Sequence, residues 1–477
     1  MGTKLTPIAP VRYQALGMQN IAGVPEWQQL SRDLTDAVDV VSRVLPFRTN
    51  RYVLQNLIDW SRVPDDPIFQ LVFPQRGMLA DEHYAAVESR LHESASKQSL
   101  AAAVRRIRLE LNPHPGGQLT HNIPTLEGKA LPGLQHKYRE TVLFFPAEGQ
   151  TCHVYCTYCF RWAQFVNMEG YRFADGDTRD LVRYLRAHPE VTDVLITGGD
   201  PMIMRTAQLR KYLEPLLAPD LDRVQTIRIG TKAVASWPQR FVSDPDADDC
   251  LRLFDEIISA NRHLAIMGHY SHPVELEPPI AREAIRRIRG TGAQIRMQAP
   301  VIRHVNDNAA TWASLWRTGV RLGLIPYYMF VERDTGARGY FEVPLARAYQ
   351  ICRDAYAQVS GLSRTAQGPS MSAFPGKVRI MGTTTLRSML GQKLVDAIEA
   401  EAGGHDADPD APVFICDFVQ ARDPSLVRSL FFAAGDPNAT WFDQLRPAFG
   451  REKFPFDSQI ERPSALPILN TTESLLH

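Results

Sequence analysis

The sequence predicts an α/β protein organised around a partial (β/α)6 barrel, with a helical region before it and an α+β tail after it. Three observations predict this. Short runs rich in Val, Ile, Phe and Tyr recur from about residue 140 at intervals of roughly 25–40 residues. Amphipathic stretches separate those runs. The residues before about 135 instead carry apolar side chains at three- and four-residue spacing. Apolar strands alternating with helices give a parallel sheet covered by crossover helices, and six such units curve into a full or partial barrel.

The elements follow in order. Residues 1–135 are expected to be a helical region, carried by VPEWQQLSRDLTDAVDVVSRVL and YAAVESRLHESASKQSLAAAVRRIRLELN. Pro and Gly at 113–117 and 131–133 close it. Residues 136–390 are expected to be the barrel. Its strand candidates are TVLFFP (141–146), DVLITGGDP (193–201), TIRIGT (226–231), LAIMGHYS (264–271), QIRMQAPVI (294–302) and PYYMF (326–330). A seventh run, PSMSA (369–373), is a further candidate strand. Residues 391–477 read as a cap or an oligomerisation arm, with a strand at VFICDFV and a Pro- and Phe-rich end.

The composition is that of an ordinary globular chain, with 477 residues, 44% hydrophobic and 22% charged. A chain this long needs no disulfide or metal staple to fold. Lys plus Arg and Asp plus Glu are both 53, so no global field argues for nucleic acid or an anionic membrane. No run approaches the roughly 18 apolar residues of a membrane span. The start MGTKLTPIAPVRYQ lacks the apolar stretch of a secretory signal and fits only a loose acylation pattern, with Gly2 and Thr6. A cytoplasmic location is expected.

Cysteine carries the chemistry. Of six, Cys152, Cys156 and Cys159 fall within eight positions, while Cys250, Cys352 and Cys416 are scattered and read as ordinary thiols. The cluster does not suit a disulfide framework, and a structural zinc site would want a second ligand pair. Three thiolates on a loop after the first barrel strand suit an iron–sulfur cluster. Three ligands on a 4Fe-4S cube leave one iron open for a small molecule.

The motif C-x3-C-x2-C with Phe160 beside the third Cys resembles the radical S-adenosylmethionine superfamily. HKYRETVLFF (136–145), TGGDP (197–201), IRIGTKAVASWPQRF (227–241), HYSHPVE (269–275), QAPVIRHVND (298–307) and PYYMF recur in the order seen in the lysine 2,3-aminomutase family. The resemblance covers about 136–380. It implies a radical-SAM-type barrel in which Cys152, Cys156 and Cys159 bind a 4Fe-4S cluster and the open iron chelates S-adenosylmethionine. Reduction would release a 5′-deoxyadenosyl radical that abstracts a substrate hydrogen. The resemblance gives Gly198, Gly199 and Asp200 to the methionyl amine; glycine lets backbone come close, and a carboxylate accepts from an ammonium. It makes Arg228, His269 and Gln298 candidates for facing cofactor or substrate, and Arg161 the clamp for a substrate carboxylate. It further implies an amino-acid substrate and an electron donor such as flavodoxin or ferredoxin, with no nucleic-acid or membrane partner; a homo-oligomer is one use for the tail.

The chain departs from the family in two places. Members hold pyridoxal 5′-phosphate on a Lys that follows a run of glycines. Lys377, in SMSAFPGKVRIMG, is the lysine near that place, but PG precedes it. One alignment makes Lys377 the pyridoxal lysine; another puts it on the next β-hairpin as a structural lysine. Lys137 and Thr141 stand where phosphate-gripping arginines are expected. Lysine-specific members place aspartates against the distal ammonium, whereas this chain reads Glu332-Arg333-Asp334 and then PSMSAF with no acid. Lysine is therefore a doubtful substrate. Three readings follow: a pyridoxal-dependent 1,2-amino shift on another amino acid, a pyridoxal-independent radical enzyme acting on another small molecule, and a non-enzymatic scaffold.

Overall fold

The computed structural model describes residues 12–93, 96–118, 120–168, 170–171, 174–392, 410–449 and 451–457. Gly2 and Thr6 lie outside them, as does much of the 391–477 tail. Among the described residues, eleven strands form one sheet in chain order. β1 (Leu134–Tyr138) is antiparallel to β2 (Thr141–Phe144). Then β2, β3 (Asp193–Ile196), β4 (Thr226–Thr231), β5 (His263–His269), β6 (Gln294–Val301), β7 (Ile325–Val331) and β8 (Gln367–Ser372) run parallel. The seventh parallel strand, β8, contains most of the PSMSA run. Antiparallel β9 (Gly376–Thr385), β10 (Pro412–Ala421) and β11 (Leu430–Ala434) follow. The described part of the tail therefore continues the barrel sheet, and the VFICDFV strand lies within β10.

Five principal helices precede the sheet: α1 (Arg32–Ser42), α2 (Arg51–Asn56), α3 (Pro67–Val72), α4 (Asp81–His92) and α5 (Lys97–Glu110). Each parallel crossover then carries one principal helix: α6 (Arg179–Ala187), α7 (Thr206–Leu213), α8 (Ala247–Ser259), α9 (Pro279–Gly290), α10 (Ala309–Arg321) and α11 (Leu345–Ala357). The two-residue period of a strand decides what faces where. On β4, Ile227 and Ile229 are fully buried and join Val194, Ile266, Ile295, Leu253, Ile285 and Trp316 in the core between sheet and helices. Arg228 and Gly230, half-buried, take the opposite, inner face.

Among the described residues, no hydrogen-bonded ladder closes the sheet; side chains tie the β1 end to the β8–β9 and post-β10 turns. Lys137 of β1 donates to the carbonyl of Ala373, just past β8. Arg422, just past β10, donates to the carbonyl of Phe374 at 2.9 Å and to Asn122.

The N-terminal helices form a second core that includes Val154, Tyr158 and Trp162 from the loop region after β2. Backbone groups make the attachment. The Thr157 amide donates to the Leu71 carbonyl at 3.0 Å, and its hydroxyl to the Gln70 carbonyl at 2.9 Å. The Tyr155 amide donates to the Arg48 carbonyl at 2.9 Å. Gln70 and Leu71 lie on α3, whose N-terminus is capped by buried Asp66 accepting from Ile68 (2.9 Å) and Phe69 (2.8 Å). Removing that cap leaves buried amides unpaired. Asp66→Ala should lower unfolding stability by about 1–2 kcal/mol, read as a shifted denaturation midpoint; an unchanged midpoint would refute the cap's role.

Candidate functional site

The loop bearing Cys152, Cys156 and Cys159 follows β2 at the C-terminal end of the parallel strands, where a barrel gathers its chemistry. Its backbone is fixed from several sides. The Cys159 amide donates to the Cys156 carbonyl at 3.0 Å. Arg48 donates to the Cys152 carbonyl (3.2 Å) and to the Thr151 hydroxyl (2.5 Å), and lies over the Tyr155 ring. Tyr13 donates to the His153 carbonyl at 2.9 Å. All three thiols are half-buried and free.

Burial pushes each of these thiols up, and negative charge nearby adds to it. Cys159 rises to about 12, from burial and then from Cys156. Cys152 is also raised well above the ordinary thiol value, by burial and then by Asp200, Cys159 and Cys156. The three sulfurs therefore lie within electrostatic reach of one another. Among the described residues, no three His, Cys, Asp or Glu side chains are gathered as a ligating group. On a pinned backbone a cysteine redirects its thiol only by rotation about χ1. The donor set suits iron–sulfur chemistry, and a bound metal would supply the positive charge that crowded thiolates need.

The loop after β3 lies against this one with almost no space between. A Cβ on Gly199 would sit 2.6 Å from both the amide nitrogen and the carbonyl oxygen of Thr151. Gly198 has φ +151°, and a Cβ there would meet Gln150 at 2.5 Å. The Asp200 amide donates to the carbonyls of Gly149 (3.1 Å) and Thr151 (2.8 Å). Its buried carboxylate accepts from the Met202 amide (2.9 Å), the Thr231 hydroxyl (2.7 Å) and the amides of Lys232 (2.9 Å) and Ala233 (3.1 Å). Four bonds fill the acceptor sites of a carboxylate. Asp200 thus ties the loops after β3 and β4 together, and a grip on an ammonium would have to displace one of these partners.

The other candidates fall into two groups. His269 and Gln298 are in register on β5 and β6. The His269 ring is 3.1 Å from the Tyr158 hydroxyl, which ties it to the cysteine loop, and burial beside Lys232 lowers it to about 3. Arg161 is buried, with its guanidinium 4.6 Å from the Phe145 ring and 4.9 Å from the Phe160 ring. Arg228 sits deeper, donating to Asp193 at 2.8 Å across β3 and β4. Lys377 belongs to this deeper group. It lies on the hairpin strand β9, yet its ammonium is 3.9 Å from the Tyr328 ring centre and 5.7 Å from that of Phe330. Burial, and then Arg228, lowers it to about 7, against the pull of Asp193.

Two contributors were not foreseen from the sequence. Arg48 comes from the helical region and holds the cysteine loop. Lys232, just past β4, forms a buried pair with Glu275 at 2.6 Å and also meets the Ser271 hydroxyl and the His269 carbonyl. Only the position of Lys232 at a strand's C-terminal end could have signalled it.

A scan against protein-family models finds none that matches. Curated proteins do match. A putative L-lysine 2,3-aminomutase of Aquifex aeolicus is 30% identical over 387 residues, 80% of this chain and 87% of that protein. The chain belongs to the lysine 2,3-aminomutase family. Within this family, the L-lysine 2,3-aminomutase of Escherichia coli is 29% identical over 234 residues, covering 48% of this chain and 63% of that one. A putative L-lysine 2,3-aminomutase of Treponema pallidum is 31% identical over 234 residues, covering 49% and 61%. Among solved structures, a radical SAM methyltransferase from Sphaerobacter thermophilus overlaps 49% of this chain and 68% of its own at 17% identity, with a TM-score of 0.32.

Two outcomes check the site. In Gly199→Ala the new methyl meets backbone, so about 1–3 kcal/mol of stability should be lost, with faster proteolysis in the cysteine loop; wild-type stability would contradict the close approach. Lys377 is lowered in the folded state, so the unfolded chain binds more protons between about pH 7 and the ordinary lysine value of 10.5. Stability should therefore rise with pH through that window relative to Lys377→Met, by about a few kcal/mol in total. Parallel pH curves for the two proteins would contradict the burial of the amine.

Proposed function

We propose that the chain is a radical S-adenosylmethionine enzyme whose Cys152, Cys156 and Cys159 hold a 4Fe-4S cluster, and that it performs a 1,2-amino shift on an amino acid other than lysine. The observation that supports this reading is the placing of three cysteines within eight positions of one pinned loop at the mouth of the parallel barrel. When bound, the cluster supplies the electron that cleaves S-adenosylmethionine into a hydrogen-abstracting species. The chain's residues hold and enclose. Arg48, Tyr13 and the α3 carbonyls fix the loop, and Gly198 and Gly199 bring backbone against it. The N-terminal core around Tyr158 and Trp162 keeps water from that end. Arg161 would take the α-carboxylate of the substrate.

Pyridoxal 5′-phosphate fits this interior at one end. A desolvated amine lowered to about 7, against Tyr328 and beside Arg228, is what imine formation requires. Bound there, the group supplies a conjugated system next to the migrating nitrogen. Lys377 would hold it, with Lys137 and Arg422 as the nearby cations. A second reading drops the pyridoxal. It is favoured by Thr141, which carries no charge, and by Lys137 and Arg422, whose donors already serve the carbonyls of Ala373 and Phe374.

Anaerobic reconstitution tests both readings. About four irons per chain and 5′-deoxyadenosine after reduction with S-adenosylmethionine are expected. Cys156→Ala should lose both, and its retention of either would overturn the assignment. A Schiff-base absorption band that vanishes in Lys377→Ala supports the first reading; wild-type turnover with no such band supports the second.

A further inference from the structure

Arg333 follows β7 at the same end of the sheet as the cysteine loop. Its own loop is fixed. The Trp162 indole donates to the Thr335 hydroxyl at 2.9 Å, the Gly336 amide to the Leu111 carbonyl at 2.9 Å, and Asn112 to the Asp334 carbonyl at 2.7 Å. The Arg333 side chain is only 17% exposed. Its guanidinium stands 5.3 Å from the Phe160 ring centre and 5.5 Å from that of Trp441. Phe160, next to the third Cys, also faces Arg161 at 4.9 Å. Two guanidiniums therefore share one aromatic ring beside the cysteines.

The commitments of Arg333 differ from those of the other interior cations. Lys137 and Arg422 bridge the sheet seam through carbonyls, and Arg228 is paired with Asp193. Among the described residues, no acceptor lies in hydrogen-bond reach of the Arg333 guanidinium, and its Nε is buried. Asp334 forms an ion pair with the Arg333 Nε at 4.0 Å, beyond hydrogen-bond distance. Glu332, Asp443 and Tyr138 act on Arg333 electrostatically, and Arg333 in turn acts on Lys137 and Arg161. A planar fork placed near two aromatic rings, with its donors unspent, is a bidentate receptor for a carboxylate. A distal ammonium would meet a fixed like charge at the same place.

We infer that the substrate is an amino acid with a second, distal carboxylate, of the glutamate and aspartate class, and that Arg333 grips that distal group. The inference rests on the proposed function, which gives the α-carboxylate to Arg161. Arg333 thereby selects between acidic and basic amino acids at one site.

The experiment measures binding of L-glutamate, L-aspartate and L-lysine to the reconstituted protein by equilibrium dialysis. Binding is paired with transfer of deuterium from the deuterated amino acid into 5′-deoxyadenosine. An acidic amino acid should bind at least about 10-fold more tightly than lysine, and Arg333→Gln should remove that preference, as expected for one lost charge-assisted pair. Arg333→Lys should restore part of it, because charge without the fork is retained. Tighter binding of lysine, or an unchanged preference in Arg333→Gln with a wild-type circular dichroism spectrum, overturns the inference. If pyridoxal phosphate excludes glutamate, and Arg333→Gln weakens pyridoxal phosphate instead, Arg333 belongs to the cofactor and the inference also falls. If glutamate binds through Arg333 but no 5′-deoxyadenosine forms under any condition, the radical reading fails while the assignment of Arg333 stands.

Discussion

The barrel mouth depends on the close approach of two backbones, Gly198–Asp200 and Gly149–Thr151. No side chain fits between them, so their relative position is set by hydrogen bonds and excluded volume. Asp200 makes the contact rigid. Its amide is shared by two carbonyls of one loop, and its carboxylate binds amides on the next. The loops after β2, β3 and β4 thus behave as one piece. Arg48, Tyr13 and α3 hold the same piece from the other side. The cysteines inherit their mutual position from this frame.

The second constraint is charge. A barrel interior that held only packing residues would be apolar. Here the region inside and around the mouth contains Lys137, Arg161, Arg228, Arg333, Lys377 and Arg422. Desolvation is costly for each, and the costs are met in different ways. Arg228 has a carboxylate, Lys137 and Arg422 have carbonyls, and Lys377 has aromatic faces. Arg161 stacks on two rings. Among the described residues, Arg333 has rings and an ion-paired acid at 4.0 Å but no hydrogen-bond acceptor. These differences separate cations that support the fold from cations available to a ligand.

The sequence made the parallel strands and the cysteine loop legible because each carries a local signal. Val- and Ile-rich runs such as 226–231 read as strands on their own, and three thiols within eight positions have few structural explanations. The tail was less legible. Its strand β10 pairs with β9, and β11 with β10, in a continuous sheet, a non-local fact that a strand's own residues do not encode. The same holds for Arg48 and Lys232, whose partners are distant in sequence. For Asp200 the motif was readable, but its four internal acceptor bonds were not. Lys377 shows the reverse case: two alignments of its surroundings were open, and it lies on the hairpin strand β9 while its long side chain reaches the interior beside Tyr328.

The most direct measurement is electron paramagnetic resonance of the reconstituted, reduced protein before and after S-adenosylmethionine is added. A cluster with one iron free of protein ligands should give the signal of a reduced four-iron cube, and that signal should shift when the sulfonium compound binds. A signal that ignores the addition, or no four-iron signal in a fully folded protein, would contradict the account.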